Sequence, residues 1–157
     1  MASAAVPRPL MRHDARHVVA ETARYLGAAS VLVVGGIHMQ QYYDAYYRTV
    51  PTIGTLFLLS FVGAGPVGVT LFAPLRRLAG RLGAWALALA ALGGIGVGLG
   101  TLIGLLVSEY TPLFGFMEVG YRLAIVLTLV FDVLTTLFLG TYLVLVVPAL
   151  FRAPGGG

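Results

Sequence analysis

Four long apolar stretches, separated by short polar breaks, dominate the pattern of the chain. They lie near residues 22–40, 53–72, 84–107 and 123–147, and each is apolar on every face. A helix needs about 20 largely apolar residues to span a bilayer core, whereas a membrane β-barrel needs short strands of alternating hydrophobicity. The pattern therefore predicts an all-α fold, a membrane-embedded bundle of four transmembrane helices.

The flanking segments complete the predicted domain organisation. Residues 1–20 contain two prolines and several arginines, so they are predicted to be a basic cytoplasmic arm that is mobile or lies on the anionic inner leaflet. Residues 21–150 form the predicted transmembrane domain, and residues 151–157 form a short C-terminal tail.

The placement of the arginines predicts the orientation. Eight of them fall on one side of the predicted membrane: Arg8, Arg12, Arg16, Arg24, Arg76, Arg77, Arg81 and Arg152. Only Arg48 and Arg122 fall on the other side. Because cytoplasmic segments carry an excess of basic residues, both termini are predicted to lie in the cytoplasm.

Composition narrows the class and the compartment. The 157 residues are 59% hydrophobic and 10% charged, which excludes an ordinary soluble domain and an isolated nucleic-acid-binding module. The formal net charge is +4, and every basic residue counted in it is arginine. The absence of lysine and asparagine indicates a GC-rich bacterial genome and hence the bacterial plasma membrane. The absence of cysteine excludes disulfides and thiolate metal sites.

Asp132 is the polar residue that topology does not explain. It lies about ten positions into the fourth predicted span, roughly 15 Å deep and close to the bilayer midplane. Thr128, Thr135 and Thr136 share its helical face and are expected to hydrogen-bond it. A carboxyl group at this depth is costly to ionise, so it is either a proton-binding group or a protonated residue that fixes helix packing.

An aromatic connection between the first two predicted spans suggests an outer-face site. Four of the six residues from Tyr42 to Tyr47 are tyrosines. They are predicted to form a lid or docking surface with Glu118 and Arg122, or to anchor the chain at the membrane interface. The candidate residues of this site are His38, Tyr42, Asp44, Tyr46, Glu118 and Arg122. Glu118 and Arg122 are spaced as an i,i+4 pair.

His38 is the only histidine in a predicted span. A haem held between helices usually needs two axial ligands. His38 is interpreted either as one such ligand or as an interfacial histidine that is held by a hydrogen bond. The acidic residues around it have no spacing diagnostic of a metal site, and the prediction is of no cofactor and no metal.

The third predicted span carries a stripe of glycines that includes Gly96, Gly100 and Gly104. Glycines four residues apart form a smooth groove that lets another helix backbone approach closely in lipid. The stripe is predicted to pack a helix, either within one bundle or across a homodimer.

The sequence shows no combination of nucleophile, base and orienting residue, so no enzymatic activity is predicted. The leading hypothesis is an accessory or self-associating helical bundle. Its predicted partners are the lipid bilayer and either a second copy or another membrane protein, and not nucleic acid. The alternatives are a small proton-coupled carrier or channel that uses Asp132, and a redox partner that binds haem or quinone near His38.

One segment resembles a known pattern. Ile37-His38-Met39 is followed by Tyr42, Tyr46, Tyr47-Arg48 and then Val50-Pro51-Thr52-Ile53-Gly54. This order resembles that of uncharacterised small four-helix integral membrane proteins of high-GC Gram-positive bacteria. The resemblance covers about the first half of the chain. It implies topology and location, and it implies no chemistry.

Overall fold

The computed structural model describes residues 8–45, 47–118, 120 and 122–152, with side chains from Ala15 onward. The elements are α1 (Arg8–Asp44), a 3₁₀ turn (Tyr47–Thr49), α2 (Pro51–Phe72), α3 (Leu75–Tyr110) and α4 (Leu123–Arg152). Within these described ranges the chain forms no strand and only one isolated bridge, between Leu113 and Phe116. Every predicted span lies inside one of the four helices, so the all-helical prediction is confirmed.

The first helix is longer than the predicted span. Residues 8–20, which were expected to form a separate arm, are the beginning of α1. Alanine and arginine favour helix, and Pro9 falls in the first turn, where its missing N–H removes no hydrogen bond. The predicted arm is therefore helical over 8–20, while residues 1–7 and most of the predicted tail lie outside the described part of the chain.

A break separates the first turn of α3 from its long apolar part. Gly80 has φ +51° and ψ −120°, and Ala79 is also non-helical. Only glycine adopts such a backbone readily. Gly83 lies directly against the preceding turn, because a Cβ added there would be 1.9 Å from the carbonyl oxygen of Leu75. The two glycines let the short turn at 75–78 fold back before the helix continues.

The helices form a four-membered ring in which α1 has the most buried surface. It packs extensively against α2 and α4, and α3 packs mainly against α4. In the most apolar 18-residue stretch of each helix, the buried share is 50% for α1, compared with 17% for α2 and for α3. All four helices are long and apolar enough to cross a membrane. Large side chains such as Leu59, Val69 and Val144 are mostly exposed, as expected of helices that face lipid rather than water.

The tightly packed core occupies one end of the bundle. Its buried side chains are Ala20, Ala23, Ala28, Leu71, Ala84, Leu87, Ala88, Ala91, Leu139, Tyr142, Val146 and Leu150. Many are alanines, which let the helix backbones approach closely. We call this half, next to the α2–α3 connection, the Arg24 end. The opposite half, which carries the 3₁₀ turn and the α3–α4 connection, is the Tyr47 end.

Candidate functional site

A cavity of about 510 Å³ occupies the Tyr47 end of the bundle. All four helices and the α3–α4 connection contribute to its lining. Most of its surface is apolar and comes from side chains such as Ile53, Leu56 and Phe57, together with the glycines of α3. Its size is typical of small-molecule sites, which span roughly 300–1,000 Å³.

The cavity exists because α2 and α3 touch over only part of their length. Toward the Arg24 end they meet where Gly93 faces Val67 and where Gly63 faces Val97. Farther along, a Cβ added at Gly96 or Gly100 would meet nothing within 4 Å. Both of these glycines are exposed and line the cavity. The cavity is therefore open sideways, between α2 and α3.

The glycines that pack within the chain are not the predicted ones. A Cβ at Gly98 would lie 3.1 Å from the backbone oxygen of Asp132, and one at Gly94 would overlap Leu139. Gly104 has only a distant neighbour, the side chain of Leu113 at 4.0 Å. Close helix packing uses the Gly94–Gly98 face because that face turns toward α4. The predicted stripe of Gly96, Gly100 and Gly104 forms a cavity wall and packs no helix of the described chain.

A hydrogen-bonded cluster closes the end of the cavity. The Tyr47 hydroxyl donates to Glu118 Oε2 and accepts a hydrogen bond of 2.6 Å from Arg122. Arg122 also donates to Glu118 Oε1 at 3.0 Å, which confirms the predicted i,i+4 pair. Burial, followed by the adjacent Glu118 carboxylate, raises the pKa of Tyr47 to about 12. The phenol is thus held neutral as a bridge between an acid and a base from the α3–α4 connection.

Aromatic rings join this cluster to α1 and α2. The ring of Phe57 stacks on Tyr47, with centroids 4.5 Å apart, and contacts His38 at 4.8 Å. Phe116 meets the Tyr47 ring edge-on at 5.4 Å. Such pairs add about 0.5–1.5 kcal/mol each beyond the area they bury. The predicted residue His38 and the predicted pair Glu118–Arg122 therefore belong to one continuous site.

His38 is 6% exposed and lines the cavity. Its Nδ1 lies 2.9 Å from the carbonyl oxygen of Val34, one turn earlier in α1. A carbonyl oxygen only accepts, so Nδ1 carries the hydrogen and, in the neutral ring, the lone pair is on Nε2. No group of three or more possible metal-ligating side chains occurs among the described residues.

Asp132 is fully buried between α3 and α4. Neither carboxyl oxygen has a hydrogen-bond partner among the described residues. The hydroxyl of Thr101, on the neighbouring helix α3, donates to the backbone of its own helix. Thr128, one turn before Asp132 on α4, is the last residue of that helix to line the cavity, and Asp132 itself is not part of the lining.

The threonines predicted to bind Asp132 do not do so. Thr128 donates to the carbonyl oxygen of Ala124, and Thr136 donates to the backbone oxygen of Asp132 itself. The Thr135 hydroxyl is buried without a partner in the described chain. A threonine in a helix readily bonds the carbonyl four residues earlier, and this local bond competes with any contact to the carboxyl group.

Two other predicted outer-face residues lie away from the cavity. Tyr42 packs edge-on against Tyr43 at 5.1 Å, and Asp44 is exposed at the end of α1. Tyr46 lies outside the described residues. The sequence pattern marked Tyr47 only as one of several interfacial tyrosines. Its central role depends on the 3₁₀ turn, which points it inward and leaves it 5% exposed.

A second polar cluster fixes the Arg24 end. Arg24 is 3% exposed and forms an ion pair with Glu21. It also donates to the backbone oxygens of Leu71 and Ala73, where α2 ends. A guanidinium group at a helix C-terminus satisfies carbonyls that have no partner in the helix. Arg24 therefore ties α1 to the end of α2, a role beyond the topological one suggested by its charge.

No protein-family model, no curated protein and no solved structure matches this chain.

Proposed function

We propose that this protein is a non-enzymatic, multi-pass membrane protein that binds a lipophilic small molecule in the cavity between α2 and α3. The observation that carries the proposal is the sideways opening of the cavity along the exposed face of Gly96 and Gly100. A molecule dissolved in the bilayer would enter through this opening without passing through water. The same cavity contains His38, beside which the sequence suggests a haem- or quinone-binding site as an alternative.

The chemistry of the lining supports an amphipathic occupant. The walls are apolar, while His38, Tyr47 and Glu118 place polar groups at the end nearest the 3₁₀ turn. Ligand sites of this size usually combine an apolar surface with a few convergent polar groups that fix orientation. A ligand with an apolar body and one polar end matches this distribution.

We further propose the location of the site. The arginine distribution supports a cytoplasmic Arg24 end and a Tyr47 end on the outside of a bacterial plasma membrane. The cavity then lies in the outer half of the bilayer. In the accessory role, the bundle would receive the ligand from the outer leaflet or present it to another membrane protein.

A photoreactive dodecyl diazirine tests the binding of a lipophilic molecule. The probe is incorporated into nanodiscs with the wild-type protein, and the labelled peptides are mapped by mass spectrometry. We expect labelling concentrated on the cavity-lining parts of α2 and α3. Gly100→Leu fills the cavity and is expected to lower this labelling severalfold.

Gly36→Leu is the matched control. Gly36 is likewise an exposed helical glycine with nothing within 4 Å of an added Cβ, but it does not line the cavity. Labelling spread evenly over all exposed faces, and unchanged by Gly100→Leu, would contradict the proposal. A dimer that Gly100→Leu converts to a monomer would instead identify the glycine stripe as a self-association surface.

The unpartnered carboxyl group favours a second candidate function, proton-coupled transport through Asp132. A buried carboxyl group without a hydrogen bond costs free energy, so it calls for an explanation such as proton binding or an unseen ion. Asp132→Asn is nearly isosteric and carries no titratable proton. In proteoliposomes with a pH-sensitive dye inside, we expect this variant to abolish proton flux. Flux equal to that of the wild type would exclude the role.

A further inference from the structure

We propose that the ligand of this cavity carries a hydrogen-bond donor, such as the hydroxyl group of a long-chain or ring alcohol, rather than only acceptor groups. This inference rests on the proposed binding function and names the chemical class of the ligand. It follows from the hydrogen bonds of the lining. Nearly all of its polar side chains already donate their hydrogens within the protein, so they can only accept a hydrogen bond from a ligand.

The ring nitrogen that His38 has available for a ligand is an acceptor. Nδ1 of His38 uses its hydrogen on the carbonyl oxygen of Val34, at 2.9 Å. The lone pair of the neutral ring then lies on Nε2, in a side chain that is buried except where it lines the cavity. A ligand carbonyl or ether oxygen gains nothing there, because it cannot donate.

The hydroxyl groups of the lining have already used their hydrogens. Ser60, Thr101, Ser108 and Thr128 each donate to a backbone carbonyl three or four residues earlier, at 2.8–3.1 Å. A hydroxyl group that donates in this way keeps lone pairs that can accept. Thr101 and Thr128 line the cavity on α3 and α4, so these two helices also present acceptors to it.

The charged cluster does not reverse this pattern. The Tyr47 hydroxyl donates to Glu118, which itself offers only acceptor oxygens. Arg122 lines the adjoining pocket near Val50 and is not among the residues that line this cavity. The side-chain amide of Gln41 is the one remaining donor of the described lining, and it lies at the outer rim on α1.

Competition between two matched molecules tests the inference. Unlabelled dodecan-1-ol and its methyl ether each compete with the dodecyl diazirine for the wild-type cavity in nanodiscs. The ether has the same chain and an acceptor oxygen but no donor. One net hydrogen bond of ordinary strength predicts that the alcohol competes about fivefold better than the ether.

Variants locate the acceptor. Thr128→Val and His38→Phe each remove a cavity acceptor, and we expect them to reduce the preference for the alcohol. Thr141→Val is the matched control, because Thr141 makes the same bond to the carbonyl four residues earlier in α4 but faces outward. The partitioning of the two competitors into the bilayer is the same for every variant, so it cancels when their preference ratios are compared between variants.

The outcomes separate this inference from the function on which it rests. Equal competition by alcohol and ether in the wild type would overturn the donor requirement and leave binding in the cavity intact. Competition by neither molecule, together with no concentrated labelling of the cavity, would overturn both. A preference for the alcohol that survives both Thr128→Val and His38→Phe, or that is lost in Thr141→Val, would refute the assignment of the acceptors.

Discussion

At the scale of single residues, two side chains determine how the ends of the bundle are held. Tyr47 gathers Glu118 and Arg122 around its hydroxyl, while its ring packs against Phe57. Arg24 connects α1 to the last carbonyls of α2. Tyr47 and Arg24 each contact several groups, so substituting either residue affects more than one element.

The raised pKa of Tyr47 predicts a pH dependence of stability. Its neutral form is favoured in the folded protein, since the pKa rises from 10.0 to about 12. The stabilisation is complete below pH 10 and is lost as the pH rises to about 12. We expect the free energy of unfolding in detergent to fall over this range, and to fall less in Tyr47→Phe. Tyr43→Phe, which removes an exposed tyrosine, should behave like the wild type.

Arg24→Met tests the cluster at the other end. It leaves the carboxylate of Glu21 and two carbonyl oxygens of α2 without their donor, so we expect a loss of about 3 kcal/mol of stability. Arg76→Met removes a neighbouring arginine that is 42% exposed and 3.7 Å from Glu21. That pair is worth less than about 1 kcal/mol. Similar unfolding midpoints for the two variants would contradict the assigned role of Arg24.

At the scale of elements, the two glycine faces of α3 have opposite roles. The Gly94–Gly98 face is in contact with α4, whereas Gly96 and Gly100 leave space beside α2. These positions differ by only two residues, which places them on opposite sides of one helix. One face of α3 therefore packs against α4, while the opposite face of the same segment lines the cavity.

Valine substitutions distinguish these faces. Gly98→Val drives a branched side chain into the backbone of α4 near Asp132, and overpacking of this kind costs about 1–3 kcal/mol. Gly96→Val enters open space and should change stability by less than about 0.5 kcal/mol. Unfolding in detergent, followed by circular dichroism, measures both. Equal destabilisation would show that Gly96 is also packed.

At the scale of the whole molecule, packing is unequally distributed between the two ends of the bundle. The Arg24 end is filled by alanine and leucine side chains, and the Tyr47 end contains the cavity. Polar clusters close both ends. The proposed function depends on this division, because a rigid half can support an open half that admits a ligand.

The proposed orientation predicts which connections are accessible from outside. The chain has no cysteine, so single-cysteine variants report position without background. Thr111→Cys, in the exposed α3–α4 connection, should react with a membrane-impermeant maleimide in intact cells. Leu78→Cys, 75% exposed near the α2–α3 connection, should react only after lysis. Labelling in the opposite pattern would invert the orientation.

The sequence determined the elements of this protein. Runs of about 20 apolar residues form helices in any arrangement, because the backbone must bond internally where no water is present. The ion pair of Glu118 and Arg122 was also expected from the sequence, although it forms in the non-helical connection before α4 and not along a helix. The sequence analysis did not predict that residues 8–20 are helical. Their polar composition suggested a separate arm, although Pro9 is compatible with the first turn of a helix.

Only the tertiary structure decided which faces of these helices meet. A helix that is apolar on every side gives no periodic signal of its buried face, so the sequence could not separate Gly98 from Gly96. It also could not show that Tyr47 turns inward while Tyr42 does not, or that the threonines beside Asp132 bond their own helix. The cavity arises from how α2 and α3 diverge, and that depends on contacts between residues distant in the chain.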